Sequence, residues 1–324
     1  MTDFALSEAE FRALYERLRR TSAWGPADRL GTLNNISSAE LVAAASGVRD
    51  GRTVSLAAPI ESLVALDNPE PAVHQMTHGA GDAAASGLSF ATDRLAMNIH
   101  GNADSHLDAL CHVIFDGKLY NGVDARAVTA TGAAELSVDM AGQGIVGRGL
   151  LLDVPRVRGV QWLEPGDHVT ADDLRAGESA VSDRIAQGDL LFLRVGHRAR
   201  RRSLGPWDAA QARAGLHPSA LELLAERRIA ALGSDGNNDT APSAAAGVDF
   251  PVHVRAINAM GLYLLDYLDL DTVTEACAAM HRWSFLCVVA PLRLPTGTGS
   301  PVNPIAIFLP GSPGTGDAAS SPLA

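Results

Sequence analysis

The apolar residues of this chain come in short runs, and run length is what most constrains its fold. GRGLLLDVP (147–155), DLLFLRVG (189–196) and RIAALGSD (228–235) are strand-sized and bounded by glycine, aspartate or arginine. The longest run, around Ser284–Pro291 in WSFLCVVAPLRL, is strand-sized too. GRGLLLDVP and DLLFLRVG read as buried strands, and the other two as further strands. None approaches the roughly 20 apolar residues of a membrane-spanning helix. RTVSLAAPI (52–60) and ATDRLAMNIH (91–100) are further strand candidates, and GTGSPVNPIAIFL finishes with a turn and a strand. HVTADDLRAG, SSAELVAAASGV and HPSALELLAERR carry helix start signals and helical spacing. The N-terminal segment is amphipathic, with Phe11, Leu14, Tyr15 and Leu18 on one face. PVHVRAINAMGLYLLDYLDL begins as helix or loop and ends as a strand. Strands and helices alternate irregularly, so the expected class is α/β with a mixed sheet.

With 47% hydrophobic residues, the 324-residue chain can bury a sizeable core. It shows no repeat and no clear linker. We expect one domain over 1–310, opening with a helix in 1–20, and a disordered tail over 311–324, GSPGTGDAASSPLA. Residues 62–90 are rich in Pro, Gly and Ala without a period, and read as a long loop carrying His74 and His78. The basic run RVGHRARRRS (194–203) reads as a solvated loop, with a clamp for an anionic substrate or a partner surface as the alternative.

Charge narrows the partners. Lys and Arg number 26 against 37 Asp and Glu, a net −11, and aromatic residues are 5%. Neither suits a nucleic-acid surface, so a small-molecule substrate is expected. The three cysteines form no CxxC pair, and the N-terminus lacks the basic-then-apolar order of a secretory signal. Both point to the cytoplasm.

The chemistry concentrates in HGNADSHLDALCH (100–112). His106, Asp108 and His112 form H-x-D-x3-H. On an extended chain His106 and Asp108 share a side; on a helix starting near Asp108, Asp108 and His112 share a face. Either geometry gathers imidazole and carboxylate donors that suit zinc or manganese. Competing readings are weaker. Ser105 adjoins His106, but neighbours on a strand point apart, and no GxSxG elbow presents a serine. Cys111 beside His112 has flanks (Leu110, Val113, Ile114) that read as core, which suits an inert thiol. GTGSPVN (297–303) lacks the lysine and following helix of a phosphate loop. Downstream, His253 and Asp266 are candidates, because a carboxylate among the apolar neighbours of GLYLLDYL needs a partner. Asp235 ends a strand, where site residues of α/β folds gather, and a turn role suits it equally.

Four stretches together resemble the cyclase-like, metal-dependent hydrolases that include bacterial kynurenine formamidase and isatin hydrolase. They are WGPADRLGTLN (24–34), SHLDALCHVIFDGKLYNG (105–122), AALGSDGNND with PVHVRAINAMGLYLLDYLDL, and PLRLPTGTGSPVNPIAIF. The resemblance runs over residues 20–310. It implies a swivelling β/β/α fold, a homodimer, a divalent metal (zinc or manganese) and hydrolysis of an amide or lactone. It puts His106 and Asp108 on metal ligands, His112 on a ligand or general base, and His253 and Asp266 on a second metal site. Trp24, Asn102 and Ser105 are taken as substrate-binding. One departure stands out. The family form is H-x3-H-x-D-x3-H, and four residues before His106 this chain has Asn102, a poor metal ligand; His100 lies six before. Two readings follow: His100 bulges inward to replace the ligand, or the first metal position is weakened or lost. In the latter case the alternative is a metal-independent cyclase or hydrolase acting on a polyketide-type intermediate, with His112 and Asp108 as acid–base groups. A third reading is a non-catalytic binder on a decayed scaffold, which has no need of the His106–Asp108–His112 trio.

Overall fold

A computed structural model describes residues 5–20, 24–46, 48, 51–79 and 87–308; the expected tail, 311–324, lies outside them. A mixed sheet of nine strands forms the centre: β1 (Thr53–Ser55), β2 (His106–Asp108), β3 (Ile145–Asp153), β4 (Leu190–Arg194), β5 (Ala231–Ser234), β6 (Tyr263–Asp266), β7 (Ser284–Val289), β8 (Gly299–Pro301) and β9 (Ile305–Ile307). Their order is β1-β9-β7-β3-β4-β5-β6-β2-β8. The four middle strands, β3-β4-β5-β6, run parallel, and every outer pairing is antiparallel. The apolar runs explain the division. Leu190–Leu193 and Ala231–Ser234 are buried at every position, as strands covered on both faces must be, whereas β7 alternates buried and half-buried residues. Helices Ala171–Val181, Leu221–Arg227 and Asp271–Met280 bury Leu174, Leu221, Leu224 and Val273 in the same core.

The N-terminal helix, Glu8–Arg20, presents Phe11, Leu14 and Leu18 inward, with Tyr15 half-buried and donating its hydroxyl to Asn258 Oδ1 at 2.7 Å. It packs on a π-helical segment, Val254–Met260, that leads into β6. Two of the sequence blocks turn out to be one joint. Asp28 accepts hydrogen bonds from Gly31 N (2.9 Å) and Tyr120 Oη (2.9 Å), and Asn121 Nδ2 donates to Gly25 O (2.9 Å) and Asp28 O (3.0 Å). Gly31, at φ +62°, lies so close to Gly261 that a Cβ there would stand 2.1 Å from the Gly261 carbonyl oxygen. No larger residue fits that crossing.

Two expectations are corrected. Residues 62–90 are not one structureless loop: Val73–His78 pairs antiparallel with Thr92–Ala96, and every residue of both strands is exposed. Thus His74 and Thr92–Ala96 belong to an exposed two-stranded ribbon, where His74 Nε2 meets Asp93 Oδ2 at 2.7 Å. Nor is the basic run a solvated loop or an anion clamp. His197–Leu204 is a helix whose arginines point at protein. Arg201 holds Glu61 (2.6 Å) and the fully buried Asp67. Arg198, 4% exposed, donates to the carbonyls of Ala103 (2.6 Å), Leu268 (3.2 Å) and Tyr267. The run therefore ties three chain segments that border the site. Its burial was hidden because charge in sequence reads as exposure unless the partner acids and carbonyls, far off in the chain, are known.

Candidate active site and metal centre

The site forms where β6 ends and β2 pairs with it. His106 and Asp108 are two apart on an extended strand and so face one side, while Leu107 faces the core. Of the two local geometries left open by the sequence, the extended one holds, and a turn rather than a helix follows Asp108. In the β2–β6 ladder Asp266 stands opposite His106, which brings a third donor to the same face. Asp239 caps the short helix Pro251–His253, accepting from Val252 N (2.7 Å) and His253 N (2.9 Å). The same carboxylate takes His253 Nδ1 at 2.6 Å, which leaves Nε2 aimed at Asp266 Oδ2 (3.3 Å) and Asp108 Oδ2 (3.4 Å). His106 is oriented likewise: its Nδ1 bonds the Asp104 carbonyl at 2.8 Å, and Nε2 faces Asp108 Oδ1 at 3.7 Å. Asp266 is held by Asn237 Nδ2 (2.6 Å) and by Asn238 N (3.2 Å).

His100 does reach the cluster. Its Nδ1 lies 2.8 Å from Asp108 Oδ1, its Nε2 is 3.0 Å from Thr298 Oγ1, and its ring stacks on His112 with centroids 3.7 Å apart. Asn102 lines the same cavity and accepts the Tyr267 hydroxyl at 2.9 Å. Ser105 is otherwise engaged: its Oγ donates to Tyr267 O (2.7 Å) and accepts from Ala58 N (3.0 Å), holding backbone together. Trp24 is half-buried and is not part of the cavity wall. Asp235 lies buried behind the site, accepting from Val195 N at 2.7 Å. Asp239, Asn237 and Asn238 are the participants the residue reading missed. The only signal was the cluster of polar residues in GSDGNND directly after a buried strand.

This cavity, about 430 Å³, joins the polar cluster to a wall that includes Val113, Ile114, Phe250 and Val254. Two donor sets share Asp108: His100, Asp108 and His112, and His106, Asp108 and Asp266, with the ligand atoms of each set within 4.8 Å of one another. The fully buried Asp108 Oδ2 accepts no well-aligned hydrogen bond, although His253 Nε2 stands 3.4 Å from it. That leaves acceptor capacity on a buried carboxylate for a cation held among these donors. Mixed imidazole and carboxylate donors fit a divalent metal such as zinc or manganese. Protonation follows the crowding. Burial opposes charge on Asp108, yet His112, His100, His253 and His106 outweigh it and hold the carboxyl well below its usual range. Burial also works against charge on His253, but Asp266, Asp108 and Asp239 raise it well above the ordinary imidazole value. Burial lowers His112 to about 4 against the pull of Asp108, so it is neutral near pH 7. Cys111 is buried and pushed up to about 11, which fits a core thiol.

The chain belongs to the cyclase family, whose model, described as "Putative cyclase", matches residues 36–238. A solved structure described as a novel cyclase is 29% identical, with a TM-score of 0.79 over 91% of this chain and 99% of its own. Isatin hydrolase A from Labrenzia aggregata, bound to benzyl benzoate, matches at 20% identity and TM-score 0.57, over 80% of this chain and 94% of its own. A predicted metal-dependent hydrolase from Bacillus stearothermophilus matches at 18% identity and TM-score 0.52, over 80% and 99%. These share the fold. No curated relative matches the chain in sequence. No described helix is long and apolar enough to cross a membrane.

Proposed function

We propose that this protein is a hydrolase that cleaves an amide or lactone bond of a small, cyclic or aromatic substrate with the help of a divalent metal. One observation carries the reading: a buried carboxylate, Asp108, is ringed by four imidazoles and a second carboxylate at the floor of a ligand-sized cavity. His106, Asp108 and Asp266 would hold one metal, with His253 beside them, and His100, Asp108 and His112 offer a second set. A metal there supplies Lewis-acid polarisation of the scissile carbonyl and acidifies water. The chain's own residues do the rest. Asp239 and the Asp104 carbonyl fix the tautomers and directions of His253 and His106. His112, neutral and without a side-chain hydrogen bond among the described residues, takes a proton on an imidazole nitrogen and returns it to the leaving group. Asn102 faces the substrate.

The homodimer belongs to the same reading. A two-stranded ribbon alone in water is marginal. This one exposes both faces, with Met76 at its edge and Leu63, Val64, Leu66 and Phe90 exposed in the neighbouring segments, a pattern typical of an interface. Sedimentation of the native chain and of Met76→Glu tests it.

The deciding experiment is metal content per chain after purification without chelator, together with a hydrolysis screen of amides and lactones, on the native protein and His106→Ala. We expect about one or two equivalents of zinc or manganese, lost with activity in the variant. Protein that stays bare when offered either metal overturns the metal-hydrolase reading. If that bare protein still turns over substrate, the His112–Asp108 acid–base alternative takes its place.

A further inference from the structure

The lip of the cavity carries a feature that the hydrolytic chemistry does not require. Phe250 stands at φ +50°, a left-handed conformation that bulky residues avoid, and is still 47% exposed. Pro251 follows it, and Asp239 pins the next two amides. The Arg213 guanidinium lies over the ring, 5.0 Å from its centroid, and His253 meets the ring edge-on at 5.7 Å. Arg213 is itself fixed by the carbonyls of Asp239 (3.0 Å), Ala209 (2.9 Å) and Ala210 (3.0 Å). A strained, over-determined aromatic displayed to solvent beside a reactive floor is characteristic of a ligand contact. Ile114, on the wall of the same cavity, is 51% exposed. Asp249, next to Phe250 and also on the wall, is exposed and forms no ion pair among the described residues. No described lysine or arginine lines the cavity.

We propose that Phe250, Ile114 and Asp249 form a specificity lip, which admits substrates with a flat apolar ring bearing a neutral or cationic group and disfavours anions. Phe250 offers a ring face and Ile114 an aliphatic wall, the two surfaces that hold an aromatic plate. The floor carboxylates are offset by imidazoles or a metal, whereas the Asp249 charge is not offset. It therefore attracts a cation at the mouth and repels an anion, with a modest effect because water screens it. The inference names the substrate class of the site proposed above and rests on that reading.

The test is calorimetric titration of the protein as purified with three flat probes of one shape: benzamidine (cation), acetophenone (neutral) and benzoate (anion). None contains an amide or ester bond to cleave. In Asp249→Asn, benzamidine should weaken by about 3–10-fold, benzoate should tighten, and acetophenone should stay within about 2-fold. In Phe250→Leu, which keeps apolar bulk but loses the ring face, acetophenone and benzamidine should both weaken by about 5-fold or more. Equal changes for all three probes in Asp249→Asn overturn the proposal. So does unchanged acetophenone binding in Phe250→Leu, or no saturable binding of benzamidine or acetophenone by the native protein up to about 20 mM. Thermal melts confirm that each variant is folded. Because the readout is heat of binding, its failure is distinct from failure to hydrolyse: a lip that sorts the probes on a protein without turnover would sink the hydrolase reading alone.

Discussion

Replacing Arg198 by Met should loosen the site from behind. The guanidinium is 4% exposed and serves three carbonyls, of Ala103, Tyr267 and Leu268. These join the segment between His100 and His106 to the end of β6. The Tyr267 carbonyl keeps a donor in the variant, since Ser105 Oγ also reaches it at 2.7 Å. The Ala103 and Leu268 carbonyls do not. Each buried acceptor left unpaired costs about 1–2 kcal/mol. Removing a desolvated cation returns part of its burial penalty, and Met fills much of the volume, so we expect a net loss of about 2–3 kcal/mol. For a chain of this size that is a fall in Tm of about 3–5 °C. Differential scanning calorimetry at neutral pH measures it. Arg198→Lys should recover part of the loss, because one ammonium reaches fewer than three carbonyls in these directions. Metal affinity should drop with the stability, since Asn102 and His106 are carried by the tied segment. A variant that melts within about 1 °C of the native protein would refute the argument. It would mean that water reaches those carbonyls.

Four further outcomes follow from the same geometry. Asp108→Asn removes the carboxylate common to both donor sets, and should weaken zinc binding by about 100-fold or more in competition with a chromophoric chelator; unchanged affinity would place the metal elsewhere. Asp239→Asn should lower metal affinity by about 10–100-fold, through the direction of His253, and cost about 1–2 kcal/mol of stability by weakening a helix cap. Urea melts and the same chelator assay separate the two effects. A thiol reagent should label none of the three cysteines in the folded protein and all three in urea, because burial pushes Cys111 up to about 11 and Cys277 up to about 12; rapid native labelling of Cys111 would revive it as a nucleophile. Gly31→Ala should cost more than about 3 kcal/mol in urea melts, since the added Cβ would meet the Gly261 oxygen at 2.1 Å in a left-handed backbone.

The sequence by itself determined what depends on near neighbours. Run length and bounding residues specified the buried strands, and 3.6-residue spacing put Phe11, Leu14 and Leu18 on one helix face. The two-residue spacing of His106 and Asp108 fixed their shared side once the strand was extended. Only the tertiary structure decided the rest, because it depends on register and on partners distant in the chain. Pairing of β6 with β2 sets Asp266 opposite His106. A loop that returns under the Pro251 helix supplies Asp239, and a bend before β2 swings His100 to Asp108 from six residues before His106. The arginine run was misread for the same reason. The acids and carbonyls that hold Arg198 and Arg201 lie between about 70 and 140 residues away in the chain, and no local pattern reports a charge buried by a distant partner.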